Sequence, residues 1–287
     1  MDFDRPTTLD EALRTKAEHL HALPITGGTD VIVQLNFDQR HPLAQLDLGG
    51  VGELAEWSTV DGAVRLGAAV PYTTVITELA DRLPGLAIAS RTVGSPQIRN
   101  RGTVGGNLGS ASPAGDAHPP LLATDAVVEA ASVRGTRRIP IGEFFLGVKR
   151  NALAADELIT AILVPDAAGP QQFAKIGTRN AMVIAVCSFA LALRPDDRTV
   201  GTGIGSAAPT PVRAPDAEHL AATELDWDGR APVPAAVLDR FGTLVAAAAS
   251  PIDDVRGSAA YRRHALAVLA RRTLTWAWTQ HCHEPPA

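Results

Sequence analysis

The stretch from Thr92 to Asp116, TVGSPQIRNRGTVGGNLGSASPAGD, holds six of the chain's 25 glycines and only three formal charges, Arg99, Arg101 and Asp116. A segment so rich in Gly, Ser, Thr and Asn has weak helix propensity and little to offer a core. Bare backbone can instead approach a ligand closely, because glycine lacks a Cβ and reaches positive φ at little cost. Successive free N–H groups in such turns form concave anion sites. The expectation is a long loop that cradles a phosphate-bearing ligand.

A second cluster, Thr26-Gly27-Gly28-Thr29-Asp30, has the composition of Thr103-Val104-Gly105-Gly106-Asn107. Each sits where a regular element gives way to a turn. Tight turns account for most double glycines, but two matched clusters point to a diphosphate. Neither fits G-x-G-x-x-G after a strand with an acidic residue about 20 positions on, nor the P-loop pattern.

Working outward, Thr8-x-x-Glu11 is a capping box heading a helix to about Leu20. Leu23–Thr26 and Leu43–Leu48 are strand candidates, and the apolar run at Val31–Leu35 between them is helix or strand. The unit is a small α/β layer. Asp61-Gly62 between two alternating runs is a hairpin signal, Pro71 is placed at helix position N1, with that helix reaching about Leu83, and Gly85 to Val93 is a further helix. A helical segment at 119–124 and strands at 126–133, 137–141 and 158–164 follow. Beyond the break at 165–170 come three strands of a meander and helices near 214–222, 233–249 and 258–280. In the last, Tyr261, Ala265, Val268 and Leu269 define one face.

Over 287 residues this makes an α+β chain of three parts, at 1–52, 53–168 and 169–287. The net charge of −5 argues against a nucleic-acid partner. The sequence lacks a secretory signal and a long apolar run, so the chain is expected in the cytoplasm without a membrane span. Two cysteines, Cys187 and Cys282, are too few for an iron–sulfur cluster. His281-Cys282-His283 reads as a frayed polar tail, with metal coordination the competing idea, and no metal is expected. His118 reads as a surface histidine without a role. Arg134, Arg137 and Arg138 read as a solvated face or a subunit contact.

Ile25 to Asp30, Thr103 to Asn107, Ser112-Pro113-Ala114-Gly115-Asp116 and Pro120-Leu121-Leu122-Ala123 together resemble the FAD-binding medium subunit of molybdenum hydroxylases, the family of xanthine dehydrogenase and carbon monoxide dehydrogenase. Pro251 to Asp254, Arg256-Gly257-Ser258 and Tyr261-Arg262-Arg263 resemble that family's last domain, so the likeness runs nearly the length of the chain. The resemblance implies a vanillyl-alcohol-oxidase-type fold, with FAD between two α/β subdomains and a C-terminal domain of β-meander and helices behind them.

It implies that Ile25, Thr26, Gly27, Gly28, Thr29 and Asp30 wrap the diphosphate. Thr103, Gly105, Gly106, Asn107 and Ser110 approach from the other side, and Gly115 and Asp116 lie at the flavin end. Ile159 touches the ring or ribityl chain, and Val93 occupies the place of an aromatic shield in some relatives. Lys175 aligns with a lysine near the flavin, where a cation would stabilise negative charge on the reduced ring. On the residues alone, the competing readings are Lys175 as a solvent-facing strand residue and Asp116 as a helix N-cap. No residue is assigned a catalytic role of its own.

The implied function is electron relay in a xanthine dehydrogenase-like assembly. A large molybdopterin subunit and a small [2Fe-2S] subunit are the partners, NAD or another external molecule is the acceptor, and the whole is a dimer of heterotrimers. The alternatives are a stand-alone flavin reductase or oxidase of the same fold, or a scaffold that has lost FAD.

Overall fold

The structure, a computed structural model, describes residues 2–39 and 41–283. The chain first builds a three-stranded parallel sheet from β1 (Asp2–Asp4), α1 (Leu9–Glu18), β2 (Leu23–Ile25), α2 (Val31–Asn36) and β3 (Ala44–Asp47), in the order β1-β3-β2. Parallel strands need a crossover, which settles the apolar run after β2 as a helix. Thr8 Oγ1 accepts the Glu11 N–H at 3.2 Å, while Glu11 reaches back to the Thr7 N–H at 2.8 Å. The capping box therefore closes one residue earlier than its pattern suggests. α1 ends at Glu18, short of Leu20, and Lys16 Nζ donates to the Leu20 and Ala22 carbonyls beyond it.

The second sheet is antiparallel, in the order β4-β5-β10-β6-β7. β4 (Trp57–Val60) and β5 (Ala63–Gly67) are joined by Asp61 and Gly62, both at positive φ (49° and 72°), the two-residue turn the Asp-Gly pair requires. Five helices follow: α3 (Tyr72–Glu78), α4 (Pro84–Arg91), α5 (Pro96–Arg99), α6 (Val104–Ser110) and α7 (His118–Ala123). Pro71 is the N-cap of α3 and not its first residue, and α3 stops at Glu78, well before Leu83.

Two further strands, β6 (Val127–Ser132) and β7 (Gly135–Pro140), lead through α8 (Ile141–Phe144) to a small hairpin. That hairpin is β8 (Phe145–Gly147) with β9 (Arg150–Asn151), and the central strand β10 (Leu158–Pro165) comes last.

The glycine-rich stretch is thus not one loop. Thr103 caps α6 by accepting the Gly106 N–H at 2.9 Å, and Val104 and Leu108 drop into the second sheet's core beside Leu66, Leu121 and Ile162. Two well-placed apolar side chains and a cap outweigh the poor propensity of three glycines.

The third part has β11 (Gln171–Ile176), β12 (Cys187–Arg194) and β13 (Thr199–Gly205) in an antiparallel meander. It continues with α9 (Pro215–Glu224), α10 (Ala235–Ala248) and α11 (Ala259–His283). Phe189, Leu191 and Leu193 of β12 pack with Phe241, Leu266 and Leu274 of the helices. The alternate residues Ala190 and Ala192 meet Ala89 and Ala123 of α4 and α7. On β13 the same face presents Gly201, Gly203 and Gly205: a Cβ on Gly201 would lie 2.0 Å from the Ala123 carbonyl oxygen, and one on Gly203 2.1 Å from that of Pro119. The third sheet is joined to the second by backbone lying on backbone. Arg194 and Arg213 both pair with Asp125 across the same junction.

In α11 the buried stripe runs through Arg262, Ala265, Leu266, Leu269 and Ala270, one residue round from the expected face. Tyr261 is exposed. The shift follows Arg262, whose guanidinium is buried on Asp254 at 2.6 Å and on the Val186 and Ser206 carbonyls. The C-terminal helix also contains His281 and Cys282: His281 packs on Trp227 and Trp278, and Cys282 donates to the Arg230 carbonyl.

Gly203→Val should cost roughly 3 kcal/mol or more, since neither backbone can yield. Urea unfolding tests this, and a variant within 0.5 kcal/mol of wild type, about the spread of harmless surface changes, would contradict the packing described.

Candidate functional site

Beyond the C-terminal end of β2, the parallel sheet and α6 face each other across a cleft of about 600 Å³. Open α/β sheets bind ligands in such crevices. Ile25 to Asp30, Val93, Thr103, Gly105, Gly106, Asn107, Ser110, Gly115 and Ile159 all line it. Asp116 and Lys175 do not. They form a buried ion pair behind that wall, with Lys175 Nζ 2.6 Å from Asp116 Oδ2 and donating also to the Thr92 carbonyl at 2.9 Å.

Lys175 is therefore neither a solvent-facing strand residue nor a direct part of the cleft surface, and Asp116 caps no helix: α7 begins after Ala117, which makes no side-chain cap. Burial pushes the Asp116 carboxyl up, against the pull of Lys175 and the Thr92 hydroxyl. Asp116 Oδ1 has no hydrogen-bond partner among the described residues.

The glycines divide by what a side chain would meet. A Cβ on Gly27 would fall 1.7 Å from the Arg101 carbonyl oxygen, so the two clusters touch through bare backbone. A Cβ on Gly105 would lie 2.5 Å from the Ala68 carbonyl oxygen, and one on Gly115 2.3 Å from the His118 ring. These three serve packing. Gly28 sits at φ 72°, the left-handed region. Gly106 faces the hydroxyls of Thr103 and Thr26, themselves 3.2 Å apart. Gly109 lines the cleft with nothing within 4 Å of its missing Cβ.

Among the described residues, the N–H groups of Gly27, Gly28 and Thr29 find no acceptor. Three consecutive donors in one turn make a nest for an anion. Asn107 is held from both ends: its Oδ1 accepts the Ala117 N–H at 3.4 Å, and its carbonyl accepts Ser110 Oγ and His118 Nε2. With Oδ1 engaged, Asn107 keeps its Nδ2 donors for the cleft.

His118, expected on the surface, is fully buried and tilts against Phe145 with ring centroids 4.6 Å apart. Burial lowers its pKa from 6.5 to about 4, against the hydrogen bonds to the Asn107 and Ser112 backbone.

Arg134, Arg137 and Arg138 lie exposed, as the solvated-face reading expects, and two of them are paired there: Arg134 with Asp156 at 2.7 Å and Arg137 with Glu157 at 2.7 Å. Glu157 lines the cleft.

Sequence reasoning missed Lys16, Tyr72 and Ile184, and Asn151, Leu153 to Ala155, Glu157 and Leu158, all in the cleft wall. Tyr72 is buried with its hydroxyl unpartnered among the described residues; burial, and then the charge of Asp116, push its phenol pKa up. Its place directly after Pro71 was the one available cue.

Residues 1–167 match the family described as the FAD binding domain in molybdopterin dehydrogenase, and residues 172–277 match the CO dehydrogenase flavoprotein C-terminal domain. The chain belongs to the FAD-binding subunits of molybdenum hydroxylases. It is 35% identical to the nicotinate dehydrogenase FAD-subunit of Eubacterium barkeri, over 70% of this chain and 71% of that one. It is 32% identical to the nicotine 6-hydroxylase medium subunit of Paenarthrobacter nicotinovorans, over 95% of each. A chain of the carbon monoxide dehydrogenase of Hydrogenophaga pseudoflava superposes with a TM-score of 0.89 at 25% identity, over 98% of each.

The chain is thus a subunit of an oxidoreductase, with the mixed helix and sheet architecture of those flavoproteins. Among the described residues no helix is long and apolar enough to cross a membrane. The cleft fits the family's cofactor on its own geometry: the donors at Gly27 to Thr29, unpaired among the described residues, suit a diphosphate, and bare glycine at 109 leaves room beside it.

Removing one member of the buried ion pair strands the other's charge. Lys175→Met should cost about 3–5 kcal/mol, and the double variant Lys175→Met/Asp116→Leu should regain much of it. A double-mutant cycle by urea unfolding measures this; additive losses would contradict the pairing.

The neutral His118 ring contributes stability that is complete above pH 6.5 and is lost as the pH falls toward 4, because only the unfolded chain takes up the proton in that window. The loss should be roughly 3 kcal/mol beyond that of His118→Gln, measured by unfolding at pH 7 and pH 4.

Proposed function

We propose that the chain carries FAD in this cleft and relays electrons as the flavoprotein subunit of a molybdenum hydroxylase. The observation that carries the reading is the row of main-chain donors at Gly27, Gly28 and Thr29, unpaired among the described residues, in the wall of the cleft that Asn107 also lines.

Those donors hold the diphosphate, with Thr103, Gly106, Asn107 and Ser110 opposite. Asp30 starts α2 with its carboxylate held on Gln34 at 2.6 Å. Val93, Gly115 and Ile159 flank the flavin end, where Ile184 of the third part closes the wall. The Lys175–Asp116 pair stands behind them, so its part is to set the field at the ring and to fix the wall in place. Bound FAD supplies the capacity to take up and pass on electrons. The protein's share is to bind it, orient it and limit its contact with water.

We further assign the first two sheets to the paired subdomains of a vanillyl-alcohol-oxidase-type fold, at 1–52 and 53–168, and residues 169–287 to the C-terminal domain. The electrons come from [2Fe-2S] clusters on a small subunit, which draws them from molybdopterin on a large one, in a cytoplasmic dimer of heterotrimers. NAD is the acceptor we favour. Two cysteines, one fully buried, support placing the clusters elsewhere. Relatives named for substrates as unlike as nicotinate, nicotine and carbon monoxide support placing substrate choice on the large subunit.

Gly109→Val tests the reading without straining the fold, because its Cβ meets open space yet enters the cleft. The variant should unfold at the wild-type urea concentration and bind FAD at least about tenfold more weakly, the effect of roughly 1.4 kcal/mol. Undiminished FAD binding would place the cofactor elsewhere. Co-purification with a large and a small partner chain tests the relay.

A further inference from the structure

His118 is a buried titratable ring beside the cleft that the proposed function leaves without a task. It stands at the first turn of α7, fully buried, and touches two elements of the cleft wall at once. Toward α6, Nε2 lies 3.2 Å from the Asn107 carbonyl oxygen. That acceptor requires the proton on Nε2; the ring also lies against the Ser112 backbone, and Nδ1 is buried with no well-formed hydrogen bond among the described residues. Toward the turn 112–116, the ring fills the space that a side chain on residue 115 would need: a Cβ on Gly115 would meet Cε1 at 2.3 Å and Nε2 at 2.6 Å. Phe145 of the β8–β9 hairpin closes the third side, at 4.6 Å between centroids.

The residues joined in this way are cleft residues. Asn107 and Gly115 both line it, and neither is tied to the other directly. The residue before His118 completes the clamp, because the Ala117 N–H occupies Asn107 Oδ1. The start of α7 therefore decides which end of the Asn107 amide faces the cleft.

We propose that His118 is a positioning residue of the cofactor cleft: its imidazole locks α6 to the turn at 112–116 and so sets where the Asn107 amide and the Gly115 backbone meet FAD. A filler of any chemistry would satisfy the core. A donor at the Nε2 position is needed only to hold Asn107. The inference rests on the reading of the cleft as an FAD site.

The test uses the full chain stripped of flavin, titrated with FAD and followed by flavin fluorescence and by the position of the flavin absorption bands. Wild type binds. His118→Leu fills the space without a donor and should bind roughly five- to tenfold more weakly, as expected for one lost hydrogen bond, with shifted bands. His118→Gln, which keeps a donor, should return to within about twofold of wild type. His118→Leu binding FAD with wild-type affinity and bands would overturn the inference.

Should the leucine variant not fold, the ring nitrogens of His118 in ¹⁵N-labelled wild type decide. Their resonances should move when FAD is added, because both elements the ring touches contact the cofactor, and unmoved resonances overturn the proposal. A wild-type chain that takes up no FAD overturns the cofactor reading itself and is distinguished by that.

Discussion

The cleft depends on a contact between two pieces of backbone. Gly27 lies so close to the Arg101 carbonyl that any Cβ would sit inside the oxygen's radius. This approach brings the turn after β2 against the segment leading into α6, two stretches of chain more than 70 residues apart. It also gives the cleft its chemistry. Among the described residues the N–H groups of Gly27, Gly28 and Thr29 at this contact have no acceptor, and an unpaired main-chain donor costs about 1–3 kcal/mol if nothing answers it. In the proposed reading a bound diphosphate answers all three. Binding energy and the cost of the bare turn are two sides of one arrangement.

The same device recurs where the third sheet meets the second. Gly201 and Gly203 of β13 lie on the carbonyls of α7, and Ala190 and Ala192 of β12 face Ala89 and Ala123. Small residues let α7 stand between the two sheets at close range. Polar ties then fix the angle: Gln171 accepts the Gly85 N–H, Arg194 and Arg213 hold Asp125, and Lys175 holds Asp116. α7 begins at His118, so the helix that seats the third part is also the one that clamps Asn107. A distortion at the glycine interface would therefore be felt at the cleft.

Much of this was legible in the sequence wherever composition alone carried the signal. Ile25 to Asp30 and Thr103 to Asn107 stand out because clusters of small polar residues have few other uses, and the Asp61-Gly62 hairpin follows from local turn chemistry. The failures share a cause, since in each a distant partner decides. α6 forms despite three glycines because Val104 and Leu108 find a core laid down by β5 and β10. His118 reads as polar and exposed until Phe145 and Gly115 close around it. Arg262 reads as the wet side of α11 until Asp254 folds back to meet it. Lys16 and Ile184 reach the cleft from α1 and from beyond the second sheet, where no local pattern could place them. Even the glycines were only half understood: Gly27, Gly105 and Gly115 are small for the sake of protein neighbours, Gly106 stands against the Thr103 and Thr26 hydroxyls, and Gly109 leaves space in the cleft.

The most direct measurement is amide hydrogen exchange at Gly27, Gly28 and Thr29, with and without FAD and, separately, with riboflavin, which has the ring but no diphosphate. The account predicts fast exchange in the free chain, strong protection of these amides by FAD, and none there from riboflavin. FAD that binds and leaves the three amides exchanging freely, or riboflavin that protects them equally, would contradict it.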